Sequence, residues 1–231
     1  MSEFLLDFAR PERIGLPEAI YSAGKSVAQI AGILTAAEAR GTGLLLTRLD
    51  EERFGQLPRR HQARMDFDPA SRTAFFGEIV PLLPRRRVAV LTAGTSDVPV
   101  AREATRTLRY AGHAAEEIFD VGVAGLWRLL RRIEEIRTMS VVIVAAGMDA
   151  ALPSVVAGLV PGMVIAVPTS VGYGVAAGGH AALNAILASC APGIVTVNID
   201  NGYGAACAAL RILHAGPAGA ETHAWSDAIS P

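Results

Sequence analysis

The sequence predicts an α/β protein: a three-layer, doubly wound parallel sheet preceded by a small α+β domain. Three observations predict it. Apolar runs of strand length recur through the later part of the 231-residue chain. Segments of helical period separate them. Most of the runs are continuously apolar rather than alternating. Strands that alternate with helices mean βαβ units and a parallel sheet, and continuously apolar strands mean that both faces of that sheet are covered.

The strands are expected at Val88–Thr92, Ala115–Phe119, Val141–Ala145, Val164–Val167 and Ile194–Val197. After the first, Ala101, Ala104, Leu108 and Ala111 fall on one helical face; after the second, Leu126, Leu129, Leu130, Ile133 and Ile136 do so. Such a series of units is the pattern of a flavodoxin-type domain. Upstream the pattern is mixed. "PEAIYSAGKSVAQIAGILTAAEARG" reads as helical, with Pro17 at its start and Gly41 past its end. "TGLLLTRL" and "HQARMDFD" read as short strands. The linker "PLLPRR" divides the chain into a small α+β domain (1–84), a sheet domain (85–215) and a Gly/Pro/Ala-rich tail (216–231). The tail is expected to be loose unless Trp225 packs on a neighbouring subunit. The run Arg85–Arg86–Arg87 reads as a solvated linker.

Composition narrows the function. Hydrophobic residues make up 51% of the chain, yet no uninterrupted apolar run is long enough for a bilayer. The first residues carry acids and lack the basic and apolar regions of a signal peptide. Two cysteines make no disulfide framework. The expectation is a soluble cytoplasmic protein with reduced thiols. A net charge of −1 argues against a nucleic-acid binder that works by bulk electrostatics. The histidines and cysteines show no HxH, HExxH or CxxC spacing, so no dedicated zinc site is expected.

The loops after the strands are the informative part: "AGTSDVP", "DVGVAG", "AGMDAALP", "PTSVGYG" and "NIDNGYG". In a parallel sheet all of them meet at the carboxyl edge, where ligands bind. Their Gly, Ser, Thr, Asp and Asn content points to a polar, closely approached pocket. "GTSDVPVA" runs from a strand into a helix with Pro99 in its first turn, so the N–H groups of Thr95, Ser96 and Asp97 are suited to a phosphate. It is neither a Rossmann nor a Walker sequence. Ser96 or Asp97 as a helix cap is compatible with that role. Asp120 and Asp149 reach the same edge, as caps or as functional carboxylates. Cys190, in "SCAPG", reads either as a small helix-end thiol or as a nucleophile. Cys207, inside the last helix, reads as packing.

Taken together, "GTSDVPVAREA", "DVGVAGLWRLL", "AGMDAALPSVVAGLV", "VIAVPTSVGYG" and "SCAPGIVTVNIDNGYGAA" resemble the PurE-type (AIR) carboxylases, and more closely their relatives of the LarB family. The leading "RIGLPEAIYSAGKS" and "TRL" are similar to that family's smaller domain, so the resemblance covers nearly the whole chain. It implies a carboxylase and hydrolase. Nicotinic acid adenine dinucleotide and CO2 or bicarbonate would become pyridinium-3,5-biscarboxylic acid mononucleotide and AMP, the first step of nickel-pincer nucleotide cofactor synthesis.

The resemblance also implies roles. Cys190 would be the nucleophile and Asp149 the base. Gly94, Thr95, Ser96 and Asp97 would contact phosphate and ribose, with Asp120 nearby. Thr169, Ser170, Gly172, Tyr173 and Gly174 would wall the nicotinate side. Asp200 and Asn201 would complete or brace the pocket. Lys25 and Arg48 would neutralise phosphate or carboxylate, surface ion pairs being the plain alternative. No organic cofactor is implied; Mg2+ is the candidate aid to anhydride hydrolysis, with the metal site unknown. No nucleic-acid or membrane partner is implied, and the assembly would be a homo-oligomer, an octamer. Two positions depart from the family pattern. Asp149 stands where Glu is usual, one methylene shorter, and Trp127 stands in "GLWR" where the family usually has "GLHR". The alternatives are a PurE-like carboxylase or mutase acting on an aminoimidazole ribonucleotide, and a non-catalytic nucleotide-binding scaffold.

Overall fold

The computed structural model of the chain describes residues 4–84 and 87–215. Arg85, Arg86 and the tail with Trp225 lie outside the described residues. Among the described residues no helix is long and apolar enough to cross a membrane.

The leading domain begins with α1 (Arg10–Ile14), β1 (Ala19–Tyr21), α2 (Val27–Ala39) and β2 (Leu44–Thr47), followed by α3 (Glu51–Gln56), α4 (Arg59–Gln62), β3 (Met65–Asp68) and β4 (Thr73–Phe76). The sheet order is β1-β2-β4-β3. β1 and β2 run parallel, and the other pairs are antiparallel. Ser26 starts α2 through a reciprocal cap with Gln29. Ile30, Ile33, Leu34 and Ala37 then pack onto Leu44, Leu46, Ala74 and Phe76.

Three expectations for this domain are corrected. Pro17 does not open a helix. Ile20 and Tyr21, β-branched and aromatic, extend beside β2 instead, and the helix waits for the Ser26 cap; Gly41 does end it, at φ +63°. The first half of "HQARMDFD" closes α4, and only Met65–Asp68 is strand. β4, "TAFF", was not expected; it lies between β2 and β3 and is buried along its whole length.

The sheet domain holds β5 (Val88–Thr92), β6 (Ala115–Ile118), β7 (Val141–Ala146), β8 (Met163–Pro168) and β9 (Val195–Thr196). All pairs are parallel and the order is β6-β5-β7-β8-β9. The chain moves outward from β5 to β6, then returns and builds the other way from β7. That reversal opens a crevice beyond the carboxyl ends of β5 and β7, where open α/β sheets take ligands. The connections carry α5 (Val98–Tyr110), α6 (Trp127–Leu130), α7 (Ile133–Ile136), α8 (Ala151–Ala157), α9 (His180–Leu187) and α10 (Gly202–His214). Ala101, Ala104 and Leu108 of α5 join Ala205, Ala209 and Leu210 of α10 against Val88, Val90 and Ile143. Leu129, Ile136, Leu152 and Val156 cover Ala89, Leu91 and Val142 on the opposite face.

One helix is corrected here too. The expected Leu126–Ile136 face is split into α6 and α7, because Arg132 leaves helical geometry at φ −109°, ψ 1°. Its guanidinium reaches Glu135 at 2.7 Å and Glu116 at 3.3 Å. Leu129 and Ile136 are buried as expected, whereas Leu126 and Leu130 stand exposed.

α5 also joins the two domains. Arg106 donates from Nε to Thr73 Oγ1 at 2.7 Å and lies over the Phe75 ring, and Arg102 lies 3.8 Å from the Asp68 carboxylate.

Candidate active site

β5 ends at Thr92, a buried residue whose hydroxyl accepts the Asp120 N–H (2.9 Å) and whose carbonyl accepts the Val121 N–H (3.0 Å). The loops after β5 and β6 are thereby fixed side by side. Gly94 opens the next turn, and Thr95–Asp97 make a single 3-10 turn that runs into α5. Thr95 and Ser96 are exposed at the amino end of that helix, while Asp97 is 3% exposed and turned inward. Asp97 Oδ1 accepts the Thr169 hydroxyl at 2.6 Å, and Oδ2 accepts the Gly94 N–H at 2.9 Å. The Gly147 N–H also bonds this carboxylate. Burial pushes the Asp97 carboxyl above its ordinary range, and the Thr169, Gly94 and Gly147 donors pull it back. Asp97 thus ties together the loops that follow β5, β7 and β8.

The loop after β7 presents Asp149. Gly147 is buried, and a Cβ there would stand 2.2 Å from the Val171 carbonyl oxygen. Met148 (φ +54°) and Ala150 (φ +45°) then flank Asp149 in left-handed backbone. Asp149 is exposed and its carboxylate makes no hydrogen bond or ion pair among the described residues. After β9, Asp200 (φ +56°) accepts the Ser170 N–H on Oδ1 at 2.8 Å, and its carbonyl accepts the Arg48 guanidinium. Arg48 Nε lies 3.4 Å from Glu103 Oε1. Glu103 is buried in α5 and accepts the N–H groups of Tyr203 (3.2 Å) and Gly202 at the start of α10. Burial pushes the Glu103 carboxyl up, and Arg48 offsets part of that.

Six described non-glycine residues have positive φ: Arg48, Arg72, Asp120, Met148, Ala150 and Asp200. Four lie in carboxyl-edge loops of the sheet domain, and the two arginines line the cleft facing them. Left-handed backbone costs a non-glycine residue about 1–2 kcal/mol. Such strain persists where the surrounding structure over-determines it, and it concentrates at functional sites. The cleft, ≈ 150 Å³, has Ser96, Ser170 and Asp200 on one wall and Arg48, Ser71 and Arg72 on the other.

The residues singled out by sequence therefore divide. The edge gathers Gly94, Thr95, Ser96, Asp97, Asp120, Asp149, Thr169, Ser170, Gly172, Tyr173, Gly174 and Asp200. Within it Asp120 pairs with Arg128 at 2.6 Å, and Tyr173 is exposed. Asn201 braces from behind, its Oδ1 accepting the Gly204 N–H at 2.8 Å to cap α10. Lys25 sits half-buried in the turn after β1, where the Ser22 N–H donates to Thr47 at the end of β2, the residue before Arg48. Cys190 is outside this group: it is exposed, after α9 and ahead of β9, on the amino side of the sheet. Its neighbour Ser189 shares a 2.7 Å hydrogen bond with Ser154 of α8. A larger cavity, ≈ 270 Å³, lies at that amino edge between Ala157–Val164 and Pro192–Gly193. It is walled by Ala, Val, Pro, Gly and Met, which offer no side chain for acid–base chemistry. Cys207 is half-buried in α10, and burial pushes its thiol up.

Glu103, Arg72 and Arg128 escaped sequence reasoning. A glutamate in mid-helix reads as surface, and nothing local tells that Glu103 faces an arginine from the other domain. Among the described residues no group of three or more His, Cys, Asp or Glu side chains is arranged to hold a metal ion. Mg2+ commonly rides on substrate phosphates with one or two carboxylates, and no step below runs through it.

A family model of the LarB/PurE-like N-terminal domain matches residues 3–78, and one of AIR carboxylase matches residues 87–223. The chain belongs to the LarB family. Its domains follow in that family's order, and they are those of a carboxylase-type enzyme. An uncharacterized protein of Methanocaldococcus jannaschii is 38% identical over 209 residues, covering 87% of this LarB-family chain and 80% of its own length.

Proposed function

We propose that this LarB-family protein converts nicotinic acid adenine dinucleotide and CO2, drawn from bicarbonate, to pyridinium-3,5-biscarboxylic acid mononucleotide and AMP. This is the first step of nickel-pincer nucleotide synthesis. One observation carries the reading: the strained, polar rim that surrounds the carboxyl edge in a chain with both domains of the family. The exposed amino end of α5 at Thr95 and Ser96 suits a phosphate of the dinucleotide. Asp149, at the same edge, has no hydrogen-bond or ion-pair partner among the described residues, and a base needs a carboxylate that is free to take a proton.

The chemistry needs a nucleophile because a pyridinium ring is electron-poor. The Cys190 thiolate adds to ring C4, and the bond electrons move onto the ring nitrogen. The resulting enamine attacks CO2 through C5, forming the new carbon–carbon bond. Asp149 takes the C5 proton, and expulsion of the thiolate restores the aromatic ring. Water cleaves the phosphoanhydride to release AMP. Since Cys190 lies apart from the carboxyl edge of its own chain, this reading has Cys190 serve the site of a second copy in a homo-octamer. The exposed apolar side chains Tyr173, Val175, Leu187 and Val195 around α9 and the edge strand support such an assembly.

The test is turnover of two candidate substrates, with product masses recorded. Release of AMP and a mononucleotide one carboxylate heavier is expected from the dinucleotide. Turnover of an aminoimidazole ribonucleotide and not of the dinucleotide would make the protein a PurE-like enzyme instead.

A further inference from the structure

We propose that Glu103 is a positioning residue for the candidate site: its buried carboxylate holds Arg48 of the leading domain against the loop after β9, and that contact sets where Asp200 and Ser170 stand. The inference deepens the function above. It rests on that function for the identity of the substrate, and not for the linkage itself.

A carboxylate in the middle of α5 is out of place on packing grounds. Glu103 is 4% exposed, in a helix whose other buried side chains are Ala, Thr and Leu. Removing a carboxylate from water is costly, and a buried ion pair is often no more stabilising than an apolar pair of similar volume. What Glu103 supplies is geometry. Its Oε1 lies 3.4 Å from Arg48 Nε. Its Oε2 accepts the Tyr203 N–H at 3.2 Å, and the Gly202 N–H bonds the same carboxylate. A Cβ on Gly202 would stand 2.2 Å from the Val100 carbonyl oxygen, so the start of α10 sits directly on α5. One carboxylate thereby joins the turn after β2 and the start of α10 to a single point on α5.

From Arg48 the linkage runs on to the site. The same guanidinium donates to the Asp200 carbonyl, and Asp200 Oδ1 accepts the Ser170 N–H at 2.8 Å. Asp200 holds left-handed backbone, φ +56°, which a non-glycine residue keeps only where its surroundings over-determine it. Arg48, Glu103, Ser170 and Asp200 all line the cleft between the domains. The loop that carries Asp149 is anchored separately. Asp97 bonds the Gly147 N–H and the Thr169 hydroxyl, and the Met148 N–H donates to the Val171 carbonyl at 2.9 Å. Loss of the Glu103 charge therefore shifts the Ser170 and Asp200 wall and leaves Asp149 in place.

The test compares wild type with Glu103→Gln, Glu103→Asp, Arg48→Gln and the Glu103→Gln/Arg48→Gln double variant. Glu134→Gln, at an exposed glutamate of α7, is the control and should match wild type. Hydrogen–deuterium exchange is read by mass spectrometry at single-amide resolution, because it reports local opening. Glu103→Gln should speed exchange of the Ser170 amide by about tenfold, the scale of one lost hydrogen bond to a charged group. The Met148 amide should keep its wild-type rate. Glu103→Asp, which keeps the charge but draws it back by a methylene, should lie between. In turnover of the dinucleotide, KM should rise by about the same factor, with kcat within about twofold of wild type, the pattern of lost binding rather than lost chemistry. The double variant should show no more than Arg48→Gln alone, because residues that act through one network do not add. An unchanged Ser170 amide in both Glu103 variants, effects that add in the double variant, or a fall in kcat at constant KM overturns the proposal. Should Glu103→Gln not fold, Glu103→Asp and Arg48→Gln carry the exchange comparison with the same outcomes. Exchange needs no substrate. A wild type that turns over no dinucleotide would sink the proposed reaction, and the Ser170 amide would still decide this inference.

Discussion

Replacing Gly147 by Ala is the sharpest perturbation of the candidate site. The added Cβ would stand 2.2 Å from the Val171 carbonyl oxygen, 2.7 Å from Thr169 Oγ1 and 2.8 Å from Val171 Cβ. The worst of these neighbours is backbone, so no rotamer change relieves it, and the loops after β7 and β8 must separate by about 1 Å to regain ordinary packing. Overpacking of this kind costs about 1–3 kcal/mol. The same separation stretches the Met148 N–H to Val171 hydrogen bond, 2.9 Å long in the native loop, for about 1 kcal/mol more. The expected total, about 2–4 kcal/mol, leaves a typical domain folded. Asp149 sits two residues on, and a misplacement of about 1 Å costs on the order of 10²-fold in rate. Urea unfolding followed by circular dichroism reads the first effect, and the rate of AMP release reads the second. Gly55→Ala in α3, where nothing lies within 4 Å, is the control and should be neutral or stabilising. A Gly147→Ala protein with wild-type unfolding midpoint and wild-type turnover would refute the argument that close loop contact presents Asp149.

Three further outcomes are expected. Asp149→Asn should fold and bind the dinucleotide but carboxylate about 10²–10⁴-fold more slowly; near-normal turnover would return Asp149 to a turn residue. Thr169→Val should lower stability by about 1–3 kcal/mol, since it removes a donor from the buried Asp97 carboxylate; an unchanged urea midpoint would show that Asp97 does not depend on it. His61 is fully buried, its Nδ1 has no hydrogen-bond partner among the described residues, and burial, then Arg60, holds its pKa below 6.5 despite Glu38. The unfolded chain therefore binds the proton more readily, and the contribution of neutral His61 is present above about pH 6.5 and lost as pH falls toward the depressed folded value. His61→Gln should flatten that part of the stability profile, and an unaltered profile would exclude His61 as its source.

The sheet domain was legible because its signal is local. β5 matches its expected bounds, and Ala101, Ala104 and Leu108 are buried as their spacing requires. The leading domain was less so, because β1 and β4 are three and four residues long and such runs carry too little period to separate strand from helix. The α6–α7 break hid for another reason. Apolar residues kept a helical spacing through Arg132, whose ion pairs to Glu116 and Glu135 favour the kink. At the site, the strand-end loops were readable from their Gly, Asp and Asn content, but their internal wiring was not. That Asp97 turns inward to Thr169, 72 positions away, and that Glu103 anchors Arg48 across the domain boundary, are consequences of tertiary packing that no local pattern encodes.

The central claim is carboxylation of a pyridinium dinucleotide through Cys190, and isotope-labelled turnover tests it most directly. Wild type, Cys190→Ser and Cys207→Ser are each incubated with nicotinic acid adenine dinucleotide, 13C-bicarbonate and Mg2+, and the products are read by mass. Serine is nearly isosteric with cysteine but a far weaker nucleophile at neutral pH, because the thiolate is the reactive form. Wild type and Cys207→Ser should yield AMP and a mononucleotide that carries one labelled carboxylate, whereas folded Cys190→Ser should yield no labelled product. Label incorporated by Cys190→Ser at the wild-type rate, or by none of the three proteins, would contradict the account.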